Sequence, residues 1–247
     1  MPVRSAYEHG VTTLTLDSPH NRNALSARLV SELRDALARA ADDADTRAVV
    51  LTHTGNTFCA GADLTEPAPT GPLELARLLR AIVELPRPVV ARVDGHVRAG
   101  GLGLVGACDI AVASESSSFA FTEARLGLAP AVISLPLLPK LDARAAARYC
   151  LTGERFGAGE AARIGLITVA AGAPGPDRAL EPLLAGLRRG SPQGLAASKR
   201  LVTAEVLGAF DRDTRALAEQ SAQLFASAEA REGMAAFLER RDPAWMR

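Results

Sequence analysis

VVARVDGHVRAGGLGLVGACDIAVASESSSFAFTE, Val89 to Glu123, decides how the rest of the chain is read. Val89 to Val93 alternates Val and Ala with one Arg and breaks at Asp94-Gly95, which predicts a strand closed by a turn. From Ala99 to Cys108 there is no charge, and Gly100, Gly101, Gly103 and Gly106 crowd an apolar helix. Glycine costs about 1 kcal/mol against alanine inside a helix, so this density needs a cause such as a close approach of backbone to another body. The expectation is a ligand lying against that backbone. A second strand follows near Asp109 to Ala113, and a lone acid, Glu123, ends the stretch.

Three readings fit the glycines. Gly101-Leu102-Gly103-Leu104-Val105-Gly106 has the G-x-G-x-x-G spacing of a dinucleotide-binding turn. In that turn the first glycine follows the strand at once, whereas here Asp94 to Gly100 intervene, and Glu115 comes too early for the ribose-binding acid expected about twenty residues on. Close packing of a small-residue helix is the second reading. In the third, unpaired N–H groups at the helix start, Gly100 and Gly101, face a developing negative charge.

Upstream, Val11 to Leu16 reads as a half-buried strand, and Ser26 caps a helix whose Leu29, Leu33 and Leu37 share one face. Ala48 to Thr54 is the next strand; Ala60, Gly61 and Ala62 follow it, at the end where open α/β sheets hold ligands. Thr65 to Pro72 holds three prolines and reads as a mobile or irregular surface loop. Leu75, Leu78, Leu79, Ile82 and Val83 mark an amphipathic helix that Pro86-Arg87-Pro88 stops. Strand and helix thus alternate through the first 115 residues, which argues for parallel strands with crossovers. Beyond Glu123 the expectation is helical: Asp142 to Leu151, Glu160 to Ile164, Leu180 to Arg189, and a helix opened by Ser191-Pro192, with the last hundred residues as a helical appendage. Leu180, Leu183, Leu184 and Leu187, with Phe237 and Leu238, read as core or subunit-contact stripes.

Composition narrows the chemistry. The 247 residues suit one large domain, or one domain with an appendage, and 48% hydrophobic content with 4% aromatics implies a core of Ala, Val, Leu and Ile. Lys+Arg and Asp+Glu both number 28, so no global basic field calls for a nucleic-acid partner. Cys59, Cys108 and Cys150 lack C-x-x-C spacing and read as reduced thiols. The opening residues MPVRSAYEHG carry no apolar leader, and the long uncharged run Leu126 to Pro139 is broken by three prolines, so a soluble, cytoplasmic protein with no membrane partner is expected. His9, His20, His53 and His96 show no metal-binding spacing, and neither a G-x-S-x-G elbow nor a phosphate-binding G-x-x-x-x-G-K-[ST] loop occurs. His96, near the glycine turn, reads either as a pocket residue or as a structural one.

A series of short motifs then acquires meaning from its order. Asn23-Ala24-Leu25-Ser26, Phe58-Cys59-Ala60-Gly61-Ala62-Asp63-Leu64, Pro88-Val89-Val90-Ala91 with Asp94-Gly95, Ala99-Gly100-Gly101, and Cys108-Asp109-Ile110-Ala111 come first. Phe119 with Glu123, Leu126-Gly127-Leu128, Leu151-Thr152-Gly153-Glu154, Ile164-Gly165-Leu166-Ile167, Ser198-Lys199, and Phe237-Leu238-Glu239-Arg240-Arg241 follow. In this order and spacing they resemble the enoyl-CoA hydratase/isomerase (crotonase) superfamily almost end to end.

That resemblance implies an α/β fold, a crotonase-like spiral of ββα units with a C-terminal helical region. It implies a core over residues 1–190, a helical trimerisation region over 191–247, and a homotrimer or hexamer. The substrate would be an acyl-CoA thioester of the kind met in fatty acid metabolism, with coenzyme A as part of the substrate, no separate cofactor and no metal. Backbone N–H groups matching Ala62 and Gly100 would form an oxyanion hole, and Glu123 would be the catalytic acid. Arg22, Ala24, Ala60, Gly61, Asp63, Leu64, Gly101 and Gly103 would lie against substrate or CoA. The chain departs from the main hydratase pattern at Gly103, where the first of two family glutamates falls. The other reading of Glu123 is a solvated loop acid. The motif from Gly127 to Ser134 looks like the bacterial methylglutaconyl-CoA hydratase branch. Hydration of a 2-enoyl-CoA is therefore the leading expectation, Δ3,Δ2-enoyl-CoA isomerisation with one glutamate the second, and a non-catalytic acyl-CoA-binding scaffold the third.

Overall fold

A computed structural model describes residues 1–66 and 70–246. Pro67 and Pro69 of the loop read as irregular lie outside the described residues. The chain runs β1 (Val3–Glu8), β2 (Val11–Leu16), α1 (Ala27–Asp42), β3 (Ala48–His53), β4 (Thr57–Cys59), α2 (Pro72–Glu84), β5 (Val89–Val93), β6 (His96–Arg98), α3 (Gly100–Ala107), β7 (Ile110–Ser114) and β8 (Ser118–Ala120). A short 3-10 turn (Glu123–Leu126) leads to α4 (Ala131–Leu137), α5 (Ala143–Thr152), β9 (Phe156–Gly157), α6 (Ala158–Arg163), β10 (Val169–Ala171), α7 (Pro176–Arg189), α8 (Pro192–Val202), α9 (Ala204–Phe225) and α10 (Ala228–Glu239).

Two sheets carry the fold. The larger has six strands in the order β1-β2-β3-β5-β7-β10, and the smaller has four, β4-β6-β8-β9. Each of β3-β4, β5-β6 and β7-β8 sends its first strand to the larger sheet and its second to the smaller, so each pair with the helix or turn after it is one ββα turn of a spiral. The neighbours β3, β5 and β7 pair in parallel, as do β4, β6 and β8. Because helices cover both faces, β3 and β5 are buried nearly throughout, which is why their sequences read as continuous Val, Leu and Ala.

The inner face of the larger sheet meets α1, α2 and α3 in the main core, through Leu14, Leu16, Leu51 and Val93. On the outer face Val11, Val50, Val90 and Val112 are covered by α7, with Leu180 and Leu184 buried and Leu183 and Leu187 packed beside them. Those leucines are core. Ser26 caps α1 by accepting the Leu29 N–H at 3.1 Å, and Ser191 caps α8 by accepting from Gly194 at 3.1 Å.

The last hundred residues are not purely helical. β9 pairs with β8 at the edge of the smaller sheet and β10 with β7 at the edge of the larger, so this part of the chain completes both sheets before the final helices begin. Strands of two and three residues are too short to show a period in sequence. Helix α9 packs along α2 and α4, and α10 seats on the Glu123–Leu126 turn. Among the described residues no helix is long and apolar enough to cross a membrane.

Candidate active site

The spiral delivers three chemical groups to one place. β4 ends at Cys59 and is followed by Ala62, β6 ends at Arg98 and is followed by Gly100, and β8 ends at Ala120 and is followed by Glu123. These strands are parallel neighbours, so the three residues just past their C-terminal ends lie side by side. All three line a single cavity of about 580 Å³.

Ala62 is brought in by the segment before α1: Leu25 N–H donates to Gly61 O at 2.8 Å, and Ala60 N–H to Arg22 O at 3.1 Å. Asn23, fully buried, ties that segment down by donating to Thr54 O at 3.0 Å and Thr57 O at 2.8 Å. A Cβ built on Gly100 would meet Leu25 Cδ1 at 2.7 Å and fall 3.7 Å from Gly61 Cα and 3.9 Å from Ala62 N, so the two loops run close together. Gly61, at φ +91°, has to be glycine, since its Cβ would meet Ala99 Cβ at 2.8 Å. Ala99 itself is held at φ 46°, ψ −121°, a conformation non-glycine residues rarely adopt, and its N–H donates to Ala120 O at 3.1 Å. As the first residue of α3, Gly100 has no intrahelical acceptor for its N–H, and among the described residues neither it nor Ala62 N–H donates to another backbone carbonyl.

Glu123 opens the short turn after β8 and is only 8% exposed. Its Oε2 is buried with no hydrogen-bond partner among the described residues. Burial pushes the carboxyl up to about 7, from a usual value of 4.5. It is not a solvated loop acid, and among the described residues it forms no ion pair.

Among the other residues named from sequence, Arg22, Ala24, Ala60, Asp63 and Leu64 line the same cavity, whereas Gly61, Gly101 and Gly103 do not. Burial raises Asp63, but hydrogen bonds from Thr65 and Asn21 outweigh it and hold the carboxyl below the usual range, so this acid orders its own loop. The expectation that a ligand explains the glycines of α3 is corrected at three positions. A Cβ at Gly101 would meet Cys59 O at 2.8 Å, one at Gly103 would meet Ile133 Cγ2 at 2.7 Å, and one at Gly106 would meet Leu137 Cδ2 at 2.5 Å. Those glycines let α3 pack against β4 and α4. Gly100 alone of the four borders the cavity.

Sequence reasoning missed the rest of the wall. Ala131, Val132 and Ile133 come from α4, Ser221 and Phe225 from α9, and Phe237 and Leu238 from α10. The last two are 54% exposed, at the rim. Arg98, Arg125 and Arg155 also face the cavity. Burial, and then the charge of Arg155, holds Arg98 below the usual guanidinium range. His96 is outside the wall and bonds Ser118 Oγ through Nδ1 at 2.9 Å. Among the described residues no cluster of His, Cys, Asp or Glu could hold a metal.

Comparison with known proteins gives the geometry a context. The family model for enoyl-CoA hydratase/isomerase matches residues 6–247. A crystal structure of an enoyl-CoA hydratase from Mycobacterium avium superposes with a TM-score of 0.91 at 59% identity, covering 99% of this chain and 98% of that one. A Rhodobacter capsulatus protein named "Probable enoyl-CoA hydratase" is 36% identical, over 98% of this chain and 96% of its own. The 1,2-epoxyphenylacetyl-CoA isomerase of Escherichia coli is 31% identical, over 98% and 97%.

Proposed function

Because the chain belongs to the enoyl-CoA hydratase/isomerase family and acts on acyl-CoA, we propose that it adds water to a 2-enoyl-CoA, with Glu123 as acid and base and the Ala62 and Gly100 N–H groups as oxyanion hole. The observation that carries this reading is the meeting, at the ends of β4, β6 and β8, of two N–H groups that donate to no carbonyl among the described residues and one buried carboxyl whose Oε2 has no partner among them.

In this mechanism the thioester carbonyl oxygen accepts from Ala62 and Gly100. Glu123, ionised, takes a proton from water, and the water oxygen bonds to C3. The C2=C3 electron pair moves toward the carbonyl and leaves an enolate held by the two donors. Glu123, now protonated, returns its proton to C2, so one water has been added and the enzyme is restored. One carboxyl suffices because its value of about 7 keeps both forms populated near neutrality. A donor of this kind is worth about 3 kcal/mol in the transition state. Arg22, Arg98, Arg125 and Arg155 give the wall a positive character suited to the phosphates of CoA.

Migration of a double bond is the second reading, favoured by one observation. At the one-turn neighbour of Gly100 the site offers the apolar Ile133 in place of a second acid, so Glu123 would carry a proton between C2 and C4 unaided. Assays of the wild type with crotonyl-CoA and with 3-hexenoyl-CoA separate the two. Loss of the conjugated enoyl absorbance with crotonyl-CoA supports hydration, and its appearance from 3-hexenoyl-CoA alone supports migration.

A further inference from the structure

Gly103 lies three residues beyond Gly100, so the two present one face of α3. A Cβ at Gly103 would stand 2.7 Å from Ile133 Cγ2, 3.1 Å from Ile133 Cβ and 3.2 Å from Leu79 Cδ1. The room that a side chain at 103 would take is therefore filled from α4 by Ile133, which is 3% exposed and also lines the cavity. Isoleucine is stiff at χ1, and in α4 its neighbours Val132 and Leu135 are buried too, so it cannot swing aside cheaply. A thioester whose carbonyl rests on Gly100 has C2 and C3 as its next carbons. Ile133 is the apolar wall one helical turn from that carbonyl.

We propose that Ile133 is the specificity-determining residue that limits the substituent on C3, favouring hydrogen over methyl, so that the preferred substrate is a straight-chain 2-enoyl thioester. The inference rests on the acyl-CoA reading of the site, with the carbonyl at Gly100. A straight-chain preference would set this chain apart from the methylglutaconyl branch that its Gly127 to Ser134 motif resembles.

The test compares crotonyl-CoA with 3-methylcrotonyl-CoA on the wild type, Ile133→Val and Ile133→Ala. One methylene in an apolar pocket discriminates by about 10- to 200-fold. The branched-to-straight ratio of kcat/KM is expected to rise from wild type through Ile133→Val to Ile133→Ala, by about that range at alanine. Titration with butyryl-CoA and isovaleryl-CoA reads the same ratio in binding, without turnover, and Ile133→Val keeps the test open if the alanine variant folds poorly. Ratios unchanged within about twofold, with both substrates falling in parallel as a packing defect would make them, overturn the proposal. So does a wild type that handles both substrates equally. A wild type that turns over neither, yet shows the shifted binding ratio, supports the role of Ile133 and sinks the hydration reading instead; absence of binding by every thioester overturns both.

Discussion

Gly233 of α10 rests directly on the backbone of Leu126: a Cβ there would stand 2.6 Å from the Leu126 carbonyl carbon and oxygen. Gly127 makes the reciprocal contact, its Cβ position falling 2.7 Å from the Glu229 carbonyl carbon. The C-terminal helix thus sits backbone on backbone against the turn that begins at Glu123. Gly233→Val is expected to push α10 away at a cost of about 1–3 kcal/mol and to let water reach Glu123. Turnover should fall at least about tenfold, and the midpoint of the kcat/KM pH profile should move down toward an ordinary carboxyl. A pH profile and a thermal melt of the variant check this; a destabilised protein whose profile stays in place would show that α10 does not set the environment of Glu123.

Burial of Glu123 also predicts how stability depends on pH. Below the usual value of 4.5 the carboxyl is protonated in folded and unfolded chains alike and contributes nothing. As pH rises from 4.5 to about 7 the unfolded chain ionises first, and above 7 the folded protein carries a buried charge. At about 1.4 kcal/mol per unit of pKa, that charge costs about 3 kcal/mol. Glu123→Gln removes the cost, so its melting temperature should gain on the wild type between pH 4.5 and 7 and hold the gain above. Melts at pH 4 and pH 8 measure it. An equal difference at both would mean that the acid is not buried in its charged form.

Outside the cavity wall, Lys199 meets Asp109 at 2.8 Å, with side chains 4% and 11% exposed. Lys199 also donates to Ile82 O at 2.9 Å and Arg87 O at 3.1 Å, while Asp109 accepts the Val89 N–H at 2.7 Å. Burial lowers the Lys199 pKa and Asp109 opposes that shift. The pair fixes α8 to the entrance of β5. Lys199→Met leaves the buried Asp109 without its ion-pair partner, with only Lys140 as a remaining neighbouring cation, and should destabilise by about 3 kcal/mol. Lys199→Met combined with Asp109→Asn should recover part of the loss; chemical denaturation of both variants tests the order.

Long elements were legible in the sequence because they repeat their signal. The Leu29, Leu33, Leu37 stripe behind the Ser26 cap, and the Leu180, Leu184 face of α7, fall where periodicity puts them. β4, β6 and β8 were hidden, because three residues carry no period and each follows a turn. With them was hidden the reason that Ala62, Gly100 and Glu123 converge, which the residues alone could not pair and which only the family resemblance suggested. The glycines of α3 show the opposite error. Their spacing drew attention to a ligand, while Gly101, Gly103 and Gly106 answer to Cys59, Ile133 and Leu137, contacts between segments that lie far apart in the chain. The burial of Glu123, which distinguishes it from a solvated acid, is a tertiary property with no local signature.

The most direct test of the central claim is Glu123→Gln, assayed for turnover on crotonyl-CoA and 3-hexenoyl-CoA and for binding of acetoacetyl-CoA. Glutamine keeps the shape of the side chain and removes the titrating group. Turnover should fall by about 10² to 10⁴, while binding stays within a few-fold because the Ala62 and Gly100 donors are backbone. The wild-type kcat/KM should rise with pH to a midpoint near 7, the value to which burial pushes Glu123, and that rise should vanish in the variant. Turnover unchanged in Glu123→Gln would contradict the account.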